Sequence, residues 1–182
     1  MCGISGFYST ANIFSKDDLI RMTDAMVHRG PDASGYYYDG MTGLGHRRLS
    51  IIDLSAAANL PMFSHDKNYV IVFNGEIYNY LELKRELLSE KSIPFKTNSD
   101  TEVVLEAFAH WGLDFVEKLN GMFAISILDR THKTMYLFRD RIGIKPIYYY
   151  LSGHNVAFSS ELKSGNKRND PKEFTVKPYR CQ

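Results

Sequence analysis

The sequence predicts an α+β domain in which antiparallel strands are interrupted by three helices. Alternating β-branched and aromatic residues predict strands at 4–8, 69–73, 122–128, 134–138, 147–151 and 155–158. The turn residues Asp129 and Arg130 predict a hairpin between two of these strands, and Gly153 predicts another near the end of the series. Since tight turns join antiparallel neighbours, we expect antiparallel sheets.

Three segments place apolar residues on one face at helical spacing. They are 16–27, 80–90 and 101–111. Ser15, followed three residues later by Asp18, forms a capping-box start for the first helix, and Gly112 follows the end of the third. The apolar stripes indicate helices that pack against a core.

Composition and charge argue against several classes of partner. The 182 residues suit one domain, and the net charge of +1 gives no electrostatic basis for binding nucleic acid. No apolar run reaches the roughly 18 residues of a membrane span, and no signal-peptide pattern is present. The two cysteines lie at opposite ends and the six histidines lack ligand spacing, so we predict no disulfide framework and no metal site. We expect a cytoplasmic protein with no membrane or nucleic-acid partner.

The apolar periodicity stops near Ser164, and the residues that follow are mostly polar. No internal repeat or low-complexity stretch precedes that point. We therefore predict one domain over residues 2–163 and a tail over residues 164–182 that lacks stable structure.

The most informative chemical feature is a cysteine at the second position. Removal of Met1 would leave the Cys2 thiol and a free α-amine on the same residue. The α-amine titrates at about 7.7–8.0 and a free thiol near about 8.5, so either proton can move close to neutral pH. An N-terminal cysteine activated by its own amine is a known form of nucleophile, whereas the plain alternative is a small residue without a chemical role.

Four further features have ordinary structural interpretations. Gly30 predicts a left-handed helix cap, and Asn74 with Gly75 predicts a turn at the end of a strand. Asp100 predicts the N-cap of the third helix. The charged residues over 139–146 predict a structural loop with paired charges.

Chemical interpretations remain open beside these structural ones. The Asn74 amide and the Gly75 N–H offer two donors to an oxyanion, because a glycine lets a substrate approach the backbone closely. The guanidinium of Arg48 can form two parallel hydrogen bonds to a carboxylate, although a solvated basic pair with Arg47 explains the same residues.

Six motifs in order resemble one family. They are RGPD at 29–32, RRLSIIDLS at 47–55, NGEIYN at 74–79, SDTEV at 99–103, GMFA at 121–124 and RDRIGIKPIYY at 139–149. With Cys2 at the start, the chain resembles the class II glutamine amidotransferases, which are N-terminal-nucleophile hydrolases. Within that class it resembles the glutamine-hydrolysing asparagine synthetases, from residue 2 to about residue 163.

The resemblance implies a role for each matching residue. Cys2 would attack the side-chain amide of L-glutamine, and Asn74 with Gly75 would hold the oxyanion. Arg48 would bind the α-carboxylate of the substrate. Asp100 and Glu76 would receive the α-ammonium group of the substrate. Backbone groups of Leu49, Ser50, Ile51 and Ile52 would complete the glutamine pocket. Water would then hydrolyse the glutamyl thioester to glutamate.

The resemblance also implies a four-layer α/β/β/α sandwich of two antiparallel sheets, which the strand and helix pattern alone does not select. It implies no cofactor for glutamine hydrolysis. ATP and magnesium belong to a synthetase domain that receives the ammonia and amidates aspartate, and no segment here resembles its pyrophosphate-binding loop. The chain would then be a truncated product, a fragment, or a glutaminase that serves a separate synthetase or another ammonia acceptor.

A non-catalytic glutamine-binding or regulatory remnant is the alternative function. One departure from the family lies close to the expected glutamine pocket. Relatives continue after Asp-Leu-Ser through a glycine and Gln-Pro, whereas this chain carries small and apolar residues before Pro61. We therefore expect the geometry of this loop to differ from that of the relatives.

Overall fold

A computed structural model describes residues 1–50 and 55–165. The nine strands of the described chain are β1 Gly3–Ser9, β2 Ala33–Tyr38, β3 Thr42–Arg48, β4 Met62–Phe63, β5 Tyr69–Ile77, β6 Gly121–Asp129, β7 Thr134–Arg139, β8 Tyr148–Ser152 and β9 Asn155–Ser159. Its α-helices are α1 Lys16–Asp24, α2 Tyr80–Glu90, α3 Asp100–Trp111 and α4 Phe115–Lys118, and short 3₁₀ turns cover Ala56–Ala58, Gly112–Asp114 and Leu162–Gly165. The predicted tail lies outside the described residues apart from its first two.

Two antiparallel sheets form the centre of the molecule. The first has the strand order β2-β3-β1-β9-β8, and the second has the order β4-β5-β6-β7. Helix α1 packs on the outer face of the first sheet, where Leu19 and Met22 meet Phe7. Helices α2 and α3 cover the outer face of the second sheet. The four-layer α/β/β/α arrangement that the resemblance implied is therefore present.

The inner faces of the two sheets pack against each other through apolar side chains. This layer contains Ile4, Leu44, Val70, Val72, Ala124, Leu128 and Phe158. Because side chains alternate across a strand, the same face of β3 continues from Leu44 to His46 and Arg48, and that of β5 continues to Asn74. The apolar layer thus gives way to polar residues at one end, where the candidate site lies.

Strands β2 and β3 are absent from the sequence prediction. Their glycines lower strand propensity, but at least one of them is required by packing. A Cβ on Gly45 would lie 2.0 Å from Thr23 Oγ1, so α1 packs directly on the backbone of β3. The overlooked signal is Asp39-Gly40, which ends an aromatic run and begins the turn of this hairpin.

Helix α1 begins as predicted and ends earlier than predicted. Its capping box is complete, with Ser15 and Asp18 bonded reciprocally. The helix ends at Asp24 instead of residue 27, because the next N–H groups turn to acceptors three residues back, as Met26 does to Thr23 O at 3.0 Å.

Three local predictions need correction. Gly30 is not left-handed; it is required because a Cβ would lie 2.4 Å from the carbonyl of Arg47. Asp100 is the first residue of α3, and the N-cap is Ser99, whose hydroxyl accepts from the Glu102 N–H. Asn74-Gly75 is not a turn, because β5 continues through it to Ile77, paired with β6.

Both predicted hairpins are present, and the 139–146 segment forms the expected structural loop. The carboxylate of Asp140 accepts hydrogen bonds from the backbone N–H groups of Phe123, Ile144 and Lys145.

Within the described ranges, no helix is long and apolar enough to cross a bilayer.

Candidate functional site

One cavity of about 230 Å³ lies at the polar end of the layer between the sheets. Among the predicted site residues, Cys2, Arg48, Leu49, Asn74, Gly75, Glu76 and Asp100 line it. Ser50 does not line it, and its N–H instead bonds to Asp32 Oδ2 at 2.8 Å. Ile51 and Ile52 lie outside the described residues. The remaining lining residues are Met1, His46, Ala58, Leu60, Phe73, Ser99, Thr101, Met122 and Lys145.

The Cys2 thiol is half-buried on the wall of this cavity, immediately before β1. The Leu49 N–H donates to Sγ at 3.4 Å, and the thiol donates to Leu49 O at 3.6 Å. Arg29 Nε donates to the Cys2 carbonyl at 3.0 Å. These contacts fix the residue between β1 and the end of β3 while the thiol stays within reach of a small molecule.

Asn74 and Gly75 face the same cavity from β5. Asn74 is 2% exposed, and its Nδ2 has no hydrogen-bond partner among the residues that the structure describes. A buried donor without a partner costs about 1–3 kcal/mol, so the fold maintains an unused donor here. A Cβ on Gly75 would lie 2.3 Å from Met122 O, so packing against β6 requires glycine at this position.

Arg48 is a buried cation at the end of β3, with 8% of its surface exposed. Its Nη1 donates to Ser55 O at 2.9 Å and to Asn59 Oδ1 at 2.7 Å. Ser55 ends the motif at 47–55, and Asn59 belongs to the following loop, which departs from the family pattern. The loop therefore holds the guanidinium in place despite its unusual sequence.

Asp100 begins α3 on the opposite wall and is 5% exposed. Its Oδ2 accepts the Ile77 N–H at 3.0 Å, which ties the helix start to β5. Burial raises the pKa of Asp100, and the charge of Glu76 raises it further, while the backbone N–H bonds partly oppose the shift. A cationic group placed beside these two carboxylates would relieve their mutual repulsion.

The site thus presents a guanidinium, two carboxylates, a thiol and an unused amide donor around one small space. A free amino acid carries an anionic and a cationic group on one carbon, which is the charge pattern that Arg48 and the Asp100 side complement. Within residues 1–50 and 55–165, no group of three His, Cys, Asp or Glu side chains is arranged to hold a metal ion.

His46 is a cavity-wall residue that the sequence prediction overlooked. It is 2% exposed, and its Nε2 lies 3.1 Å from Phe73 O, to which it must donate because a carbonyl only accepts. Burial lowers the pKa of His46 to about 3; the bond to Phe73 O opposes this shift and the charge of Arg48 adds to it. The imidazole is therefore neutral near neutral pH.

The protein should lose less stability in acid when His46 is replaced by glutamine. The folded pKa of about 3 lies below the ordinary 6.5, so this contribution is full above about pH 6.5 and is lost as the pH falls toward about 3. Between about pH 7 and about pH 4.5, protonation of His46 should lower the unfolding free energy of the wild type by about 2–3 kcal/mol, and His46→Gln should escape this loss. Urea unfolding at both pH values measures the difference, and equal losses would contradict it.

Lys145 is the second overlooked residue, in the loop between β7 and β8. It is 6% exposed, and its Nζ lies 3.6 Å from Met1 Sδ. The charged motif around Lys145 is visible in the sequence, but only tertiary packing shows that this ammonium points inward. The residue adds a second cation to the side of the cavity occupied by Met1.

Comparison with known proteins assigns the chain to a family. Residues 1–175 match the family described as glutamine amidotransferase domain. The chain belongs to this family. Membership of the glutamine amidotransferases, indicated by the six motifs, is therefore confirmed, whereas the roles of individual residues remain predictions.

The curated relatives of this amidotransferase domain include asparagine synthetases. Asparagine synthetase (glutamine-hydrolyzing) 1 of Bacillus subtilis is 44% identical over 168 residues, and asparagine synthetase (glutamine-hydrolyzing) 2 of Oryza sativa is 40% identical over 168 residues. Each match covers 90% of this chain, but 26% and 28% of the respective relative. The amidotransferase domain described here thus spans about a quarter of the length of these relatives.

A solved structure supports the fold of the amidotransferase domain independently. The glutamine phosphoribosylpyrophosphate amidotransferase of B. subtilis, in complex with ADP and GMP, matches 90% of this chain and 42% of its own with a TM-score of 0.73. Sequence identity over this match is 21%. The likeness therefore concerns the fold.

Proposed function

We propose that this amidotransferase domain hydrolyses L-glutamine to L-glutamate and ammonia, with Cys2 as the nucleophile. The observation that carries the proposal is the convergence of the Cys2 thiol, the unpartnered Asn74 amide and oppositely charged walls on one cavity. Family membership supports glutamine as the amide donor. The geometry adds a nucleophile, an oxyanion site and a means of binding both ends of an amino acid.

The first half of the proposed reaction forms a thioester. After removal of Met1, the α-amine of Cys2 takes the thiol proton, and sulfur bonds to the side-chain amide carbon of glutamine. The carbonyl oxygen becomes an oxyanion, which accepts from Asn74 Nδ2 and the Gly75 N–H. The amine then returns the proton to the leaving nitrogen, the C–N bond breaks, and ammonia departs.

The second half returns the enzyme to its starting state. Water adds to the thioester carbon, and the Cys2 amine takes one of its protons. The same two donors hold the second oxyanion, the C–S bond breaks, and the thiol recovers its proton as glutamate leaves. Neither half-reaction requires a metal or an organic cofactor, because the amine transfers the protons and the two N–H donors stabilise the oxyanion.

Substrate binding in the proposal uses the charged walls. Arg48 pairs with the α-carboxylate, and Asp100 and Glu76 pair with the α-ammonium. The backbone of Leu49, which lines the cavity, would lie along the substrate chain. A peptide-bound glutamine lacks one or both charges, so we expect only the free amino acid to bind well.

The fate of the ammonia is also a proposal. Because the relatives are asparagine synthetases, we propose that the ammonia serves the ATP- and magnesium-dependent amidation of aspartate. That step would take place in a synthetase domain or in a separate acceptor enzyme, beyond the residues described here.

Glutamate release from L-glutamine by the purified chain tests the proposed function. Intact mass in the same preparation reports whether Met1 has been removed, and N-acetylglutamine serves as the matched substrate control. We expect release from L-glutamine alone, and only from chains whose first residue is Cys2. A correctly processed chain that releases no glutamate would instead favour a non-catalytic glutamine-binding remnant.

We expect glutamine binding to weaken in acid because of Asp100. As the pH falls through the raised pKa of Asp100, its carboxylate is protonated and no longer attracts the α-ammonium. The loss of affinity for glutamine should begin at a higher pH than it would if Asp100 had the ordinary pKa of an aspartate. Asp100→Asn should weaken binding about 10- to 100-fold at neutral pH and remove this pH dependence, since a hydrogen bond to a charged group contributes about 1.5–3 kcal/mol.

Calorimetric titration of L-glutamine into the Cys2→Ala variant measures this effect without turnover. The matched control is Asp114→Asn, which changes an exposed carboxylate that does not line the cavity. A pH dependence that persists in Cys2→Ala/Asp100→Asn would assign the acid effect to another group.

A further inference from the structure

His46 forms a directional bond between the two sheets beside the cavity. It lies on β3 in the first sheet, and Phe73, which accepts its bond at 3.1 Å, lies on β5 in the second. In the apolar cluster between the sheets the inner faces meet through aliphatic and aromatic side chains, and such contacts impose little directional constraint. A hydrogen bond from a buried ring to a backbone carbonyl restricts both the distance and the angle between the groups that it joins.

The two residues joined by this bond stand next to the two halves of the catalytic machinery. On the first sheet, His46 pairs with Ile4 of β1, two residues after Cys2, and the thiol itself contacts Leu49 just beyond β3. On the second sheet, Asn74 follows Phe73 directly. The His46 bond therefore links the sheet that carries the nucleophile to the strand that carries the oxyanion donors.

The ring of His46 has no free N–H with which to donate to an oxyanion, because in the tautomer that donates to Phe73 O the other nitrogen, Nδ1, carries no proton. Its Nε2 is used by Phe73 O, and its Nδ1 is buried without a hydrogen-bond partner in the described part of the chain. Any effect of His46 on the stabilisation of the oxyanion therefore passes through the strands that it connects.

We propose that His46 is a positioning residue that sets the distance between the Cys2 thiol and the Asn74–Gly75 oxyanion donors. This inference rests on the proposed glutaminase function. It goes beyond that function because it places the control of catalytic geometry in a contact between the sheets. A displacement of about 1 Å between reacting groups can cost about 10²-fold in rate.

The test compares two replacements of His46. His46→Leu keeps an apolar group of similar size and removes the donor, whereas His46→Gln can place an N–H donor near the position of Nε2. We expect kcat for glutamate release to fall about 30- to 100-fold in His46→Leu with KM changed less than about threefold. We expect His46→Gln to recover kcat to within about fivefold of the wild type.

Thr23→Val is the matched control for a lost buried hydrogen bond. Thr23 Oγ1 bonds to Ser5 Oγ at 2.9 Å, between α1 and the outer face of the first sheet. We expect Thr23→Val to lower stability comparably and to leave kcat unchanged. Hydrogen exchange of the peptide that contains residues 73–76 supplies a second readout, which should accelerate in His46→Leu and not in Thr23→Val.

The outcomes separate the two proposals. A processed wild type that releases no glutamate overturns the proposed function. A wild type that is active beside a His46→Leu variant of equal kcat overturns the positioning role alone. The positioning role is also overturned if kcat falls by the same factor in Thr23→Val and His46→Leu, with both variants shown to be folded at the assay temperature.

Discussion

Cys2→Ala should abolish glutamate release, lowering kcat by about 10⁴-fold or more. Removal of a catalytic nucleophile typically lowers kcat by a factor of this size, because the remaining oxyanion donors and binding groups accelerate the reaction far less than the intact site does. Cys2 is the free cysteine of the described chain, and its thiol lies on the cavity wall. The measurement is glutamate formation from L-glutamine over a range of enzyme concentrations.

Stability and binding provide the controls for this variant. Within the described part of the chain the thiol forms hydrogen bonds only to the backbone of Leu49, at 3.4 and 3.6 Å, so we expect the unfolding free energy to change by less than about 1 kcal/mol. L-glutamine should still bind, because Arg48 and Asp100 are untouched. An alanine variant that hydrolyses glutamine at a rate near that of the wild type would remove Cys2 from the mechanism.

Much of the fold follows from local patterns in the sequence. The alternation along residues 69–73 identifies β5, and the capping residues Ser15 and Asp18 identify the start of α1. Predictions failed where tertiary packing overrides a local signal. Gly45 suggests a weak strand until α1 is placed on it, and Asn74-Gly75 suggests a turn until β6 is placed beside Gly75.

The site separates into residues that sequence motifs reveal and residues that only packing reveals. Cys2, Asn74 and Arg48 carry side chains whose chemistry is informative before the fold is known. His46 directly precedes one of the motifs and Lys145 lies within another, yet their importance depends on burial, which removes a common polar side chain from water. Periodicity along β3 places His46 on the inner face only after β3 itself is recognised.

Asn74→Ala should lower kcat about 10²- to 10³-fold with little change in KM. The Asn74 amide donates to charge that develops only when the thiol attacks, so its loss raises the barrier without weakening substrate binding. Asn74→Asp should be at least as impaired, because it places a carboxylate where an oxyanion must form. Steady-state kinetics with L-glutamine measures both constants.

The stability of Asn74→Ala distinguishes a functional amide from a structural one. Asn74 is 2% exposed, and its Nδ2 makes no hydrogen bond with any described residue, so the folded protein carries the cost of desolvating a donor. Removing that donor should leave the unfolding free energy unchanged or slightly higher, although a buried side chain has been truncated. A loss of more than about 2 kcal/mol would show that Asn74 supports the fold. A loss of activity at unchanged stability is the pattern expected of a donor held ready for the transition state.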